Sequence, residues 1–330
     1  RRFAEKNSIP VAVTLMGLGA FPQNHPLYLG MLGMHAARYT NYILEEADLM
    51  IAIGVRFDDR ATGNAKGFCP RAKIIHIDND SAEIHKIRKA HIPVIGDAKE
   101  VLNSLLPHIN ENSRNEWVER IAQIKQEYPF QIPDSKCGIH PIHLIQAVNR
   151  KVENETIVAT DVGQHQMWVA QAYPFLEPRT LLTSGGAGTM GFGLPAAMGA
   201  SVARPDKRVI CFSGDGSLLM NIQELDTLAE EEMNITVFVL NNNALGLVRQ
   251  QQELFFRKNY MASQFRNKPK FTEIAKGFGI RSYLLDDPSK MDAVLDESLS
   301  GKGPCLVEVT INNTENVYPM VPPGASNIDM

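Results

Sequence analysis

The chain has little of several features that mark specialised classes of protein. Its 330 residues include four cysteines, at positions 69, 137, 211 and 305, and no two of them form a Cys-X-X-Cys pair. Scattered cysteines argue against a disulfide framework and predict reduced, mostly buried thiols in a cytoplasmic protein. The longest apolar runs, residues 49–55 and 235–240, are too short to span a bilayer, so no membrane association is expected.

Neither sign of charge dominates the composition. The chain has 33 lysines and arginines against 37 aspartates and glutamates, which gives a formal net charge of -4. A nucleic-acid-binding protein would show a basic face, so that class is not expected. The length is sufficient for two globular domains. The chain opens with Arg1 and Arg2, without an initiator methionine or a signal peptide, so we expect it to be a section of a longer protein.

Short apolar runs alternate with helical patterns in residues 1–107. Strands are predicted at 11–15, 49–54 and 73–78, and helices at 40–47, 82–89 and 98–106. Such alternation predicts a doubly wound parallel sheet. Residues 108–136 are polar, contain one amphipathic helix and end near two prolines, so we interpret them as a linker.

The same alternation continues in residues 137–330. Strands are predicted at 156–160, 208–212, 235–240 and 305–311, and helices at 141–151, 191–203, 222–230, 271–278 and 290–300. The tail, residues 319–330, is rich in proline and glycine and is predicted to be mobile. The predicted fold class is therefore α/β, with two doubly wound parallel-sheet domains separated by the linker.

Polar residues follow two strands of the second domain. A strand ends in Gly214, Asp215 and Gly216, and the next strand ends at Asn242, which is 27 positions after Asp215. One strand–helix–strand crossover brings both ends to the same edge of the sheet, where such sheets bind ligands. The carboxylate, the amide oxygen and one backbone carbonyl would give Mg²⁺ three protein ligands. Each motif alone is more simply a turn, but the pair favours a metal site.

The surroundings of this pair suit a phosphate. Gly214 and Gly216 would let the backbone approach a phosphate without a Cβ in the way. A helix predicted to begin near Met220 would direct its N-terminus to the same place, which favours anions.

This combination of Gly-Asp-Gly, a spacer of about this length and Asn-Asn resembles the signature of thiamine-diphosphate enzymes. The resemblance implies that Mg²⁺ is bound by Asp215, Asn242 and the carbonyl of Ala244. It also implies that the diphosphate contacts Gly214, Gly216 and Ser217.

Two further segments, residues 161–168 and 184–191, are similar to acetohydroxyacid synthases in particular. The resemblance implies that Gln164 and His165 bind diphosphate oxygens and that the Gly188 carbonyl accepts a hydrogen bond from the 4'-amino group of the cofactor. Met190 would lie between the two cofactor rings and hold their bent shape. From the residues alone, Met190 is more simply a core methionine at the start of a helix.

The first domain resembles the FAD-binding middle domain of the same family. The similar segments are residues 14–15, 31–35, 54–60, 77–78 and 96–98. The residues that the resemblance assigns to FAD are Met34, His35, Arg56, Asp58, Asp78 and Asp97. Arg56 is suited to pair with a pyrophosphate, and Asp78 with a ribose hydroxyl. Because no Gly-X-Gly-X-X-Gly follows a strand, an NAD-binding domain is not indicated.

Two residues are expected to act on the second substrate. The resemblance places Arg60 at the mouth of the active site, where its guanidinium would hold the carboxylate of a 2-keto acid. The alternative is a surface arginine paired with Asp58 or Asp59. Gln251 occupies a position at which many acetohydroxyacid synthases have tryptophan, so we expect a weaker preference for 2-ketobutyrate.

The activity implied by the resemblance is that of an acetohydroxyacid synthase catalytic subunit. Thiamine diphosphate would decarboxylate pyruvate and transfer the hydroxyethyl unit to a second 2-keto acid, which gives 2-acetolactate or 2-aceto-2-hydroxybutyrate. FAD would have a structural role. The alternatives are another thiamine enzyme (glyoxylate carboligase or pyruvate oxidase) and a non-catalytic FAD-binding scaffold.

The family also implies partners. We expect a homodimer or a larger assembly, formed through a preceding domain that carries the catalytic glutamate, and a small regulatory subunit. Since no residue of this chain can be assigned the role of that glutamate, the 330-residue chain alone is predicted to be inactive.

Overall fold

A computed structural model of the chain describes residues 1–132 and 138–330. The chain forms two compact units: Arg1–Gly17, Gln23–Gln131 and Tyr318–Met330 make the first, and Leu18–Pro22 and Ile132–Val317 make the second. Cys137 and the end of the predicted linker, residues 133–136, lie outside the described residues. In the described part of the chain, no helix is long and apolar enough to cross a membrane.

The first unit contains two parallel sheets. Its strands are β1 (Val11–Val13), β2 (Tyr28–Met31), β3 (Leu49–Ile53), β4 (Lys73–Asp78) and β5 (Ile92–Ile95), and its helices are α1 (Arg2–Lys6), α2 (Arg38–Glu46), α3 (Asp59–Thr62), α4 (Ala98–Leu105) and α5 (Asn115–Glu127). Strands β1 and β2 pair with each other, and β3, β4 and β5 form a second sheet in that order. The predicted parallel α/β architecture is confirmed, with β2 and β5 as strands that the sequence analysis does not identify.

Helix α5 packs within this unit although the sequence predicts a linker there. Its apolar residues Ile121 and Ile124 are buried in a cluster with Leu29 and Ile43. Apolar residues three positions apart lie on the same face of a helix, so Ile121 and Ile124 can pack together against the core. Residues 115–127 therefore contribute to the core of the first unit.

Two other predictions for this unit differ from the structure. Residues 82–89 form turns rather than a helix, because Asp80 accepts a hydrogen bond from the N–H of Ala82 at 2.9 Å and bends the chain there. The tail is packed rather than mobile: Val321 is 1% exposed, and Asn327 Nδ2 donates to the Ala61 carbonyl at 2.8 Å.

The second unit has one sheet of six parallel strands in the order β10-β11-β9-β8-β6-β7. The strands are β6 (Ile157–Thr160), β7 (Leu181–Thr183), β8 (Val209–Gly214), β9 (Ile235–Asn241), β10 (Arg281–Leu285) and β11 (Cys305–Thr310). The helices are α6 (Pro141–Arg150), α7 (Gln164–Ala172), α8 (Gly193–Ala203), α9 (Asp215–Leu218), α10 (Glu224–Glu230), α11 (Gly246–Phe255), α12 (Phe271–Gly277) and α13 (Met291–Ser300). This is the doubly wound fold that the sequence predicts.

Strands β8 and β9 lie at the centre of this sheet and are buried along their whole length. Val209 and Cys211 face a core cluster that includes residues of α8, α10 and α12. The alternate residue Phe212 lies on the other face, where its ring stacks on Phe238 with centroids 5.4 Å apart. No helix begins near Met220: α9 starts directly at Asp215, and a 3₁₀ turn at Leu219–Asn221 follows it.

Candidate functional site

Two polar side chains from neighbouring strands meet at the carboxyl edge of the second sheet. Asp215 follows β8 directly, Asn242 follows β9, and they are 3% and 7% exposed. One oxygen of each accepts a hydrogen bond from the same donor, the backbone N–H of Ala244, at 3.2 and 3.1 Å. Because two oxygens that share one donor are close neighbours, the structure brings the three predicted metal-binding residues together.

The burial of Asp215 affects its ionisation. Desolvation raises the pKa of this carboxyl group to about 6, although hydrogen bonds from the N–H groups of Gly216 and Ala244 act in the opposite direction. A buried carboxylate is costly unless a positive charge lies beside it. A cation held between Asp215 and Asn242 would remove that cost.

Three consecutive asparagines, of which Asn241 is the last residue of β9, form the end of the strand and the turn that follows it. Asn241 Nδ2 donates to Glu308 Oε1 at 2.8 Å, and Asn241 Oδ1 accepts from the N–H of Asn243 at 3.1 Å. Asn243 has a φ of +56°, a left-handed conformation that asparagine tolerates better than most residues. The turn therefore fixes Asn242 and Ala244 beside Asp215.

Gln164 is bonded to protein groups through both ends of its amide. Its Oε1 accepts from Asn242 Nδ2 at 3.2 Å. Its Nε2 donates to Gln250 Oε1 and to the Glu315 carbonyl, both at 2.9 Å. The amide is thus directed at Asn242, whereas the sequence analysis expects it to contact diphosphate.

His165 is the next residue of α7 and is 4% exposed. Burial lowers the pKa of its imidazole, so the ring is neutral at pH 7. Its Nε2 atom is buried and has no hydrogen-bond partner among the described residues. Such atoms are rare in folded proteins. An oxygen of a bound anion would accept a hydrogen bond from Nε2 when that nitrogen carries a proton.

The residues around Asp215 leave little room for larger side chains. A Cβ at Gly214 would lie 2.9 Å from His165 Nδ1, and one at Gly216 would lie 2.7 Å from a methyl carbon of Leu245. A larger side chain at either position would therefore require neighbouring side chains to move. Ser217 donates its hydroxyl hydrogen to the Val162 carbonyl at 2.8 Å.

Asp161 is a structural residue of the site that the sequence analysis does not single out. It follows β6, is 1% exposed, and accepts from the N–H groups of Val162, Gly191 and Gly193 at 2.8, 2.9 and 3.1 Å. These bonds hold the start of α8 and the half-buried Met190 against the edge of the sheet. Gly188, just before, is exposed and has a φ of +64°. The sequence feature that could have identified Asp161 is its position directly after a buried strand.

Helix α11 starts at Gly246, two residues after Ala244. Arg249 and Gln250 on this helix are 3% and 0% exposed, whereas Gln251 is exposed. The residue predicted to set acceptor preference therefore lies on the surface of this unit. The buried Gln250 was missed because an amide inside a helix gives no distinctive sequence signal.

The first unit places four of its predicted cofactor-binding residues at one edge of β3-β4-β5. Ile53 pairs with Ile77, and Asp78 with Ile95, so the turns after the three parallel strands lie side by side. The residues in or beside these turns are Arg56, Asp58, Asp78 and Asp97. The shared edge is where an open parallel sheet binds a nucleotide.

The carboxylates at this edge also stabilise the backbone. Asp58 accepts from the N–H groups of Arg60 and Ala61 at 3.1 and 3.2 Å and caps α3. Asp97 caps α4 in the same way, and Asp78 accepts from the N–H of residue 80 at 2.9 Å. Arg56 lies 3.5 Å from Asp58 and is mostly exposed.

Met34, His35 and Arg60 lie together in the first unit. Arg60 Nη1 is 3.8 Å from the sulfur of Met34, and both residues line a cavity of about 160 Å³ together with residues 321–324. His35 Nδ1 is 3.3 Å from the Pro319 carbonyl, and burial lowers the pKa of its imidazole to about 4. Asp58 bonds to the backbone of Arg60, and no bond between its carboxylate and the Arg60 guanidinium is found in the described residues.

Known proteins match both units. The family described as "Thiamine pyrophosphate enzyme, central domain" matches residues 1–105, and "Thiamine pyrophosphate enzyme, C-terminal TPP binding domain" matches residues 161–309. The chain is 51% identical to the acetolactate synthase isozyme 1 large subunit of Escherichia coli (strain K12), over all of this chain and 59% of that protein. It is 43% identical to the isozyme 2 large subunit of that organism, over all of this chain and 60% of that protein. Chloroplastic acetolactate synthase 1 of Zea mays is also 43% identical, over all of this chain and 54% of that protein.

The parallel sheets of the two units agree with these matches, and the chain belongs to the thiamine pyrophosphate enzymes. Within that family its relatives are the large subunits of acetolactate synthases. The chain spans less than two thirds of the length of these relatives.

Proposed function

We propose that the chain is the cofactor-binding part of an acetolactate synthase, which joins two molecules of a 2-keto acid with loss of CO₂. The observation that supports this most directly is the pair of buried oxygens, from Asp215 and Asn242, that share the N–H of Ala244. A hard cation such as Mg²⁺ prefers oxygen ligands of these kinds. The relatives that match the whole chain are acetolactate synthases.

Under this proposal Mg²⁺ is held by Asp215, Asn242 and the carbonyl of Ala244. The diphosphate of thiamine diphosphate lies against His165, whose buried Nε2 lacks a partner in the described residues, and against the backbone of Gly216 and Ser217. The N-terminus of α7, which no side chain caps, adds N–H donors for the same anion. The side chain of Gln164 holds Asn242, and Gln164 is itself the first residue of α7.

Thiamine diphosphate supplies the carbon nucleophile and the electron sink that decarboxylation of a 2-keto acid requires. The residues of the chain orient it. Met190 would contact the cofactor rings, and the Gly188 carbonyl would accept from the 4'-amino group. Asp161 holds the segment that follows Met190 through its bonds to the N–H groups of Gly191 and Gly193. Arg60 binds the carboxylate of the second 2-keto acid.

We also propose that the first unit binds FAD in a structural role. Arg56 would pair with the pyrophosphate, and Asp78 would accept from a ribose hydroxyl. Asp58 and Asp97 each use one oxygen as a helix cap, and the second oxygen of Asp97 remains for the ligand. Met34 would contribute apolar contacts, and the neutral ring of His35 would add van der Waals contact without a charge.

The remaining proposals concern domains and partners. The first unit acts as the FAD-binding domain and the second unit as the thiamine-diphosphate-binding domain. The enzyme works in the cytoplasm as a dimer or larger assembly with a small regulatory subunit. Both relatives from Escherichia coli are large subunits, which supports a partner of that kind.

The test is 2-acetolactate formation from pyruvate by the complete protein, with and without thiamine diphosphate and Mg²⁺. Asp215→Ala should abolish the activity. Asp206→Ala is the matched control, because Asp206 is exposed and pairs only with Arg204 among the described residues. Pyruvate consumption without acetolactate would indicate another thiamine enzyme. FAD binding without any consumption would indicate a non-catalytic scaffold.

A further inference from the structure

Three buried amide side chains connect the backbone of Val317 to Asn242. Gln250, Gln164 and Asn242 are 0%, 3% and 7% exposed. Gln164 Nε2 donates to Gln250 Oε1 at 2.9 Å, and Asn242 Nδ2 donates to Gln164 Oε1 at 3.2 Å. We call these three side chains the amide chain.

The backbone fixes the orientation of the first member. Gln250 Nε2 donates to the Val317 carbonyl at 2.9 Å, and Gln250 Oε1 accepts from the Val317 N–H at 2.8 Å. A backbone residue cannot exchange its donor and its acceptor. Only one of the two orientations of the Gln250 amide therefore makes both bonds.

The backbone beside Val317 is itself held in place. Arg249 Nη2 donates to the Glu315 carbonyl at 3.3 Å and bonds to the side chain of Asn316. The same guanidinium pairs with Glu253 at 2.7 Å. Residues 315–317 thus provide a fixed reference for the Gln250 amide.

The orientation passes along the amide chain. Because Gln250 presents Oε1 and Glu315 presents its backbone carbonyl, Gln164 must direct Nε2 to both of them and Oε1 to Asn242. Asn242 must then present Nδ2 to Gln164, which leaves Oδ1 for the Ala244 N–H at 3.1 Å. Reversal of Asn242 would place two acceptors together at one contact and two donors together at the other. Inside a protein such mismatches are costly.

We propose that Gln250 is a positioning residue, which determines through Gln164 that the oxygen of Asn242, and not its nitrogen, faces the cation. The inference rests on the proposed function, since it takes Asn242 as a ligand of Mg²⁺. The amide of asparagine binds a hard cation through oxygen alone, so a reversed amide would direct two N–H groups at the metal.

The experiment measures binding of Mn²⁺, as the probe for the Mg²⁺ site, by electron paramagnetic resonance of the complete protein with thiamine diphosphate present. Gln250→Met removes one of the two acceptors of Gln164 Nε2, leaves the Glu315 carbonyl, and should weaken Mn²⁺ binding about 10-fold. Gln250→Glu in its protonated form keeps a donor for the Val317 carbonyl and an oxygen acceptor for Gln164, and should retain most of the affinity. Asn41→Leu is the structural control, because the buried Asn41 bonds to both backbone groups of Gly33 in the first unit. It should leave Mn²⁺ binding unchanged.

The decisive comparison uses Asn242→Asp. A carboxylate has an oxygen on each side, so its orientation no longer matters. Gln250→Met should therefore weaken Mn²⁺ binding in the natural background and have no such effect together with Asn242→Asp. Equal weakening in both backgrounds would show that Gln250 acts through packing and would overturn the inference. If Gln250→Met does not fold, Gln164→Met is tested with the same pair of backgrounds and the same expectation.

Asp215→Ala, measured in parallel, distinguishes a failure of this inference from a failure of the proposed metal site on which it rests. Loss of Mn²⁺ binding in Asp215→Ala, with no effect of Gln250→Met, would overturn the role of Gln250 alone. Undiminished binding in Asp215→Ala would overturn the metal site itself.

Discussion

Gly246 lies so close to the amide of Gln164 that its replacement by alanine tests the geometry of the site. A Cβ on Gly246 would be 2.0 Å from Gln164 Oε1 and 2.8 Å from Asn242 Nδ2. The Gln164 amide must then move away from Asn242, Gln250 and Glu315. Three hydrogen bonds at about 1 kcal/mol each amount to a loss of about 3 kcal/mol. Alanine is favoured over glycine in a helix by about 1 kcal/mol, so the net loss of stability is about 2 kcal/mol.

The assay is urea unfolding together with Mn²⁺ binding. Gly199→Ala is the matched control, because Gly199 lies on an exposed position of α8 where a Cβ would meet nothing within 4 Å. It should raise stability by about 0.5–1 kcal/mol. Gly246→Ala should unfold at a lower urea concentration and bind Mn²⁺ more weakly. If it unfolds at the natural midpoint and binds Mn²⁺ normally, the close contact with Gln164 is refuted.

Three other predictions concern pH, the strand end and acceptor choice. Burial lowers the pKa values of His35 and His140 from 6.5 to about 4. As the pH falls, both histidines are therefore protonated in the unfolded chain before they are protonated in the folded protein. Folded-state stability should decrease from pH 6.5 towards pH 4, by about 2 kcal/mol per histidine at pH 5, and a flat profile in calorimetry would contradict this. Asp161→Asn turns an NH₂ group towards backbone N–H donors and should lower stability by about 2–3 kcal/mol in urea unfolding, whereas an unchanged midpoint would show that the carboxylate is not needed. Gln251→Trp should shift product from a pyruvate and 2-ketobutyrate mixture about tenfold towards 2-aceto-2-hydroxybutyrate, and an unchanged product ratio would exclude a role in acceptor choice.

The central part of the fold and the proximity of Asp215 and Asn242, the proposed metal ligands, could be predicted because both depend on local sequence. Strands β8 and β9 are continuous apolar runs, which indicate burial on both faces of a parallel sheet. The right-handed crossover rule then places Asp215 and Asn242 at one edge without further information. The structure agrees, with Asp215 and Asn242 sharing the N–H of Ala244.

The supporting contacts could not be predicted because they join distant parts of the chain. Gln164 bonds to Asn242, Gln250 and Glu315, which are 78, 86 and 151 positions away. A single amide in a sequence can bond to almost any backbone or side-chain group. The tail was predicted to be mobile for the related reason that its proline and glycine content describes local preference, whereas Val321 and Asn327 are held by contacts with residues early in the chain.

The two adjacent glutamines of α11 lie in different environments. Consecutive helical residues point about 100° apart, so Gln250 faces inward and Gln251 faces outward. Gln250 is tied to Val317 and Gln164, and a change there disturbs the proposed metal ligand Asn242. Gln251 is exposed and can be replaced without altering the amide chain. If the two proposals hold, a substitution at position 251 should change acceptor preference and leave the cation site unchanged, because Gln250 lies on the other side of the helix.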